Sequence, residues 1–175
     1  MAAYVRVVTA LSRAFGVFAM ILLAAAVLVV CEMIFVRYVL RWSTAWQTEF
    51  VVYSIVAATF LGSPYVLVHR GHVNVDLLPN AAGPRGRFVL ELAAGLISLA
   101  FAVLLAWSGW EYFHKALSAG WTTQTVWALP LWIPLLPLPL GIGLLALQYV
   151  AELWTLLRAG EDPALDPGAH IGVGD

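Results

Sequence analysis

Trp46-Gln-Thr-Glu-Phe-Val-Val-Tyr-Ser-Ile-Val-Ala-Ala-Thr-Phe-Leu-Gly-Ser-Pro-Tyr-Val-Leu-Val-His-Arg-Gly-His-Val-Asn-Val-Asp76 is the stretch whose reading decides the fold. From Phe50 to Val68 it runs 19 residues without a charge. At about 1.5 Å per residue that makes a helix of roughly 28 Å, close to the hydrocarbon thickness of a bilayer. Ser54, Ala58 and Gly62 recur at intervals of four and offer a face on which another helix can come close.

Outward from this span, the whole chain keeps the same character. Of 175 residues, 62% are hydrophobic and 11% charged, too little charge for a water-facing surface. A net charge of −1, with Lys and Arg scattered in ones and twos, gives no field for nucleic acid. Cys31 is the one cysteine, so an intrachain disulfide is excluded.

Before the central span, Arg6 and Arg13 precede an apolar run that continues past Ala24-Ala25-Ala26, which suits an uncleaved anchor better than a cleaved signal. This first span is expected over about 12–40, long enough to tilt or protrude. Trp42 and Trp46 read as belt residues at headgroup level. After the second span (about 48–68), Gly71, Pro79, Gly83, Pro84 and Gly86 predict a loop from His69 to Arg87. A third span is expected over 88–111, where Ala94, Ser98, Ala102 and Ala106 repeat small side chains every four positions. Four prolines (Pro130, Pro134, Pro137, Pro139) break the next apolar run, so an irregular approach should lead into a fourth span over about 136–157. Residues 1–158 thus form one all-α transmembrane domain of four spans, and 159–175, rich in Gly, Pro and Asp, read as a disordered tail.

Four spans put both termini on one side. With the termini inside, the inner segments hold Arg6, Arg13, Arg70, Arg85, Arg87 and Arg158, and the outer ones Arg37, Arg41 and Lys115. Six against three favours cytoplasmic termini.

Candidate chemistry is sparse. Glu32 is the deepest ionisable group of the first span, and pairing with Arg37 or with another chain is its expected role ahead of ion coupling. Glu49 would accept hydrogen bonds at a helix start, where the helix dipole favours an anion. His69, His72 and Asp76 are too few for a zinc site, so no metal is expected. All four histidines fall outside the apolar runs, which argues against an intramembrane haem, and no phosphate loop or nucleophile elbow is present. No cofactor and no catalytic residue is predicted. Trp107, Trp110, Trp121, Trp127 and Trp132 gather near one end of the third and fourth spans and read as a belt. Part of that surface would suit a protein contact.

The order Trp46-x-x-Glu49, then Phe60-Leu61-Gly62, then Gly71-His72-Val73-x-Val75-Asp76-Leu77-Leu78 resembles the small permease subunit of tripartite ATP-independent periplasmic (TRAP) transporters. Leu129-Pro130-Leu131-Trp132-Ile133-Pro134, followed by Pro139-Leu140-Gly141, is similar to that family's approach to its fourth helix. The resemblance covers roughly Ser12 to Leu157. It implies a non-enzymatic scaffold in the bacterial inner membrane that packs against a large permease subunit. A periplasmic solute-binding protein would deliver an organic acid to that pair, and an ion gradient would drive uptake. Trp46, Glu49, Gly62, Gly71, His72 and Asp76 carry the family pattern. The rival reading is a stand-alone, proton-coupled exporter that works as a homodimer through Glu32 or Glu49, and an intramembrane enzyme ranks below it.

Overall fold

The computed structural model describes residues 2–68, 83–125 and 127–161. Helix α1 (Ala2–Phe35) runs on through a π-helical turn (Val36–Leu40), and Arg41, in the left-handed region at φ 55°, ends it. Then come α2 (Ala45–Val68), α3 (Gly83–Ser118), the single turn α4 (Trp132–Leu135) and α5 (Pro137–Glu161). Among the described residues, four stretches are long and apolar enough to cross a membrane: Tyr4–Leu40, Ala45–Val68, Phe88–Ser118 and Trp132–Arg158. The protein is an all-α integral membrane protein of four spans.

Helices α1 and α3 are longer than the spans expected at 12–40 and 88–111. Hydropathy reads only the apolar part of a helix, whereas backbone hydrogen bonding continues past the bilayer edge. Gly83, Pro84 and Gly86, expected in a loop, belong instead to the first turn of α3, where a proline's missing N–H costs nothing. Pro137 opens α5 for the same reason. The tail expected from 159 begins with residues still in α5, and 162–175 lie outside the described residues.

The four long helices form an open array. Helix α2 lies between α1 and α5, α1 also reaches α5, and among the described residues α3 packs only on α5 and α4. A seven-residue series runs through the buried positions: Ser12, Ala19 and Ala26 on α1, Gln47, Ser54 and Leu61 on α2, Ala102 and Ala116 on α3. Gly95 and Gly109 continue the α3 series and lie against Leu153 and Leu138 of α5. A seven-residue repeat nearly matches two helical turns, so it keeps one seam on its partner along the helix. Small residues on the seam let backbones approach, which matters in lipid because burial of apolar surface drives little association there.

The α2–α5 crossing is built around a proline. Pro64 is buried in α2 and has no N–H, so the Phe60 carbonyl four residues earlier loses its helical donor. Ser63 Oγ donates to that oxygen at 2.9 Å. Gly141 of α5 rests directly on the Phe60 carbonyl group. A hydroxyl and a glycine thus let a proline sit inside a buried span.

Between α1 and α5 the fully buried Ser12 hydroxyl donates to the Val8 carbonyl oxygen at 2.9 Å and lies 3.4 Å from Gln148 Oε1. Tyr4 donates to the Leu147 carbonyl oxygen at 3.0 Å on the same seam. Replacing Gln148 by Leu removes one interhelical polar contact and leaves Ser12 its local bond. The expected loss is about 0.6 kcal/mol, and at most about 1.7 kcal/mol, in unfolding titrations of the detergent-purified chain.

Candidate functional site

The residues singled out in the sequence fall into three places. Gly71, His72 and Asp76 lie outside the described residues, as does His69. Ser54 and Ala58 are buried, and a Cβ on Gly62 would meet the Ala19 methyl of α1 at 3.5 Å. Trp46 and Glu49 stand in the first two turns of α2.

The third-span series divides. Ala102 is buried against Ile142 and Ala146, with Ala106 packed beside them, Ser98 is half-buried and Ala94 is exposed. A four-residue step turns 400° in an α-helix and drifts about 40° each time, so a run of such steps winds off any straight seam. The packed series on α3 is instead Gly95, Ala102, Gly109 and Ala116. Small residues counted at steps of seven would have found it.

The Trp46 end of α2 carries most of the polar geometry. The exposed Trp46 ring meets Trp127 edge-on, with ring centres 6.4 Å apart. Trp127 belongs to the segment between α3 and α5, which folds back on itself: Thr123 N–H donates to the Leu129 carbonyl oxygen at 2.9 Å, Leu129 N–H to Thr123 Oγ1 at 2.9 Å, and Leu131 N–H to the Trp121 carbonyl oxygen at 2.8 Å. This turn holds Trp127 over the start of α2. The tryptophans expected as a belt make separate contacts. Trp107 donates to Glu111 Oε1 at 3.2 Å on the α3 surface, Trp121 packs on Tyr112, and Trp127 meets Trp46 edge-on.

Glu49 departs from its expected role. Its side chain is half-buried, and Oε2 is enclosed with no hydrogen-bond partner. Glu49 is the fifth residue of α2, just past the four N–H groups a helix start leaves free. A carboxylate there tolerates loss of its charge. Glu49→Gln is expected to leave the thermal midpoint of the isolated chain within about 2 °C of the parent, a shift of under about 1 kcal/mol.

Glu32 also finds a different partner. Among the described residues it makes no ion pair with Arg37; Gln47 Nε2 donates to Glu32 Oε2 at 3.4 Å. Five residues separate Glu32 from Arg37, about 500° of helical rotation, which sets the two side chains well apart around the axis. Gln47 is 3% exposed, and its Oε1 is buried without a partner. Beside it Thr48 donates to the Thr44 carbonyl oxygen at 3.1 Å and lies 3.6 Å from Met33 Sδ. Sequence reading passed over Gln47, although an amide between apolar neighbours at the start of a span is itself the signal. Among the described residues no group of three or more His, Cys, Asp or Glu is arranged to hold a metal ion.

Comparison with known proteins gives the arrangement a context. The family described as "Tripartite ATP-independent periplasmic transporters, DctQ component" matches residues 26–159. A relative from Vibrio cholerae, described as the C4-dicarboxylate TRAP transporter small permease protein DctQ, is 25% identical over 150 residues, covering 74% of this chain and 65% of the relative. A protein of the same description from Rhodobacter capsulatus is 28% identical over 129 residues, covering 73% of this chain and 56% of the relative. The alignments thus span somewhat under two thirds of each relative's length.

Proposed function

Because the chain belongs to the DctQ component family, the small permease subunits of TRAP transporters, we propose that it is the scaffold subunit of a secondary uptake system for an organic acid. It packs beside a large permease in the bacterial inner membrane, with both termini in the cytoplasm. The large subunit carries the substrate, a periplasmic solute-binding protein delivers it, and an ion gradient drives the step. C4-dicarboxylates, named in the descriptions of both relatives, are the substrate class to test first.

One observation carries the reading: the family match covers the last turns of α1, all of α2 and α3, and α5 as far as residue 159. The physical character of those helices agrees with it. Few charges stand within the spans and the seams are small-residue seams, which suits a chain that packs against another protein more than one that lines its own path. Trp46, Glu49, Gly62, Gly71, His72 and Asp76 remain the residues to which we assign the family's structural and contact roles.

Mild-detergent affinity purification from the native membrane is the test. A large permease in equal amount, identified by mass, is the expected result, with uptake of labelled C4-dicarboxylate falling at least tenfold in cells that lack this chain. Recovery of the chain alone as a homodimer that moves solute in proteoliposomes would overturn the proposal in favour of a stand-alone exporter.

A further inference from the structure

We propose that Glu32 and Gln47 form a polar docking point on the α1–α2 face, which receives a hydrogen-bond donor or cation from a transmembrane helix of the large permease. The inference rests on the scaffold reading above and identifies the face by which this chain meets its partner.

Glu32 is exposed on α1 and sits inside an apolar surface, not at its edge. One turn before it Leu28 is 70% exposed, and three residues after it Phe35 is 59% exposed. Beyond these, Tyr38, Val39 and Leu40 are exposed to the end of the helix, with the exposed Arg37 among them. Leu28 and Phe35 share the face of Glu32, because positions three and four apart on a helix are neighbours. The carboxylate lies eight residues, about 12 Å, short of Leu40.

The chain itself does not complete the chemistry at this point. Glu32 accepts one long bond, from Gln47 Nε2 at 3.4 Å, and makes no ion pair among the described residues. The buried Gln47 spends its donor on Glu32, and its own oxygen accepts nothing. Gln47 Oε1 is enclosed, so the Glu32 carboxylate is the acceptor that a neighbouring helix can reach at this level. An exposed carboxylate flanked by exposed apolar side chains calls for the opposite charge or for hydroxyl and amine donors. Lipid tails supply none, and a second copy of this chain would bring the same acceptors to the same level. A helix bearing Lys, Arg or a hydroxyl, with small residues about it, complements the point and the exposed Leu28 and Phe35 that frame it. Gln47 then acts as a positioning residue that aims the carboxylate outward.

The experiment uses the full chain expressed with the large permease in its native membrane. A photoreactive amino acid replaces Leu28 or Phe35 in turn, with Glu32 intact, and the cross-linked product is identified by mass. In parallel, Glu32→Gln and Glu32→Lys chains are purified and the recovered permease is quantified. The expected results are cross-links to the large permease from both positions, about threefold less permease recovered with Glu32→Gln, and at least tenfold less with Glu32→Lys. Cross-links only to lipid or to a second copy of this chain would overturn the inference. So would cross-links to the permease with full recovery in both Glu32 variants, which would mean contact without the polar point. Where the parent chain recovers the permease and these arms fail, the inference falls and the scaffold function stands. Where the parent chain recovers no permease, both fall.

Discussion

Gly141→Leu is expected to separate α5 from α2 and to cost the isolated chain about 3 kcal/mol or more, the upper end of what overpacking does. Even a single methyl at Gly141 would run into the backbone carbonyl of Phe60. Backbone cannot swing aside as a long side chain can, so the two helices must part. The carbonyl is held where it is by Pro64 and Ser63, and parting the helices also strips packing from Leu61 and Ile142. Gly141→Ala decides the sign cleanly. Alanine favours a helix over glycine by about 1 kcal/mol, so in an open position it would stabilise. At this contact a net loss of about 1–2 kcal/mol is expected, measured by unfolding titration in detergent. A gain would show that the helices do not touch there.

Gly16→Val is expected to be the next most damaging change, with a loss of about 2–3 kcal/mol. A Cβ at Gly16 would overlap the Cβ and Cγ atoms of Tyr65 on α2. A new rotamer can move the tyrosine ring, but its Cβ is fixed to the backbone. Val adds two branches at the crowded atom, whereas Ala adds one carbon, so Gly16→Ala should fall between parent and Val. Double replacement at Gly16 and Tyr65 measures their coupling: removing the Cβ as well as the ring with Tyr65→Gly should recover more than half of the Gly16→Val loss. Losses that simply add would mean that the crowding lies elsewhere.

The sequence marked Gly141 only as part of a family pattern and Gly16 not at all, and gave neither its contact. Helix α2 is apolar nearly all round, so no polar face tells which side meets α1 and which meets α5. In the series Ser54, Ala58, Gly62 the first two are buried and Gly62 faces Ala19 of α1. Ala94 to Ala106 did not stay on one seam, since the same step over one more interval turned Ala94 out of the packing. Gln47 drew no notice because amides carry no charge, yet its burial and its bond to Glu32 give the Trp46 end of α2 its chemistry. The expected Glu32–Arg37 pair failed on helical angle, a constraint available in the sequence and outweighed there by nearness in number.

Four crossings, a proline-broken approach to the last, and the Trp46-to-Glu49 start of the second were determined by the sequence. A helix in hydrocarbon must satisfy its own backbone hydrogen bonds, so each span is a local property of about 20 residues that composition reveals. The order of the helices in the array, the seven-residue seams, and the meeting of Phe60 with Gly141 and of Gly16 with Tyr65 were decided only by tertiary structure. Between apolar helices in lipid, no gain from leaving water selects a face. Shape does, and shape depends on which small residue on one helix meets which protrusion on another.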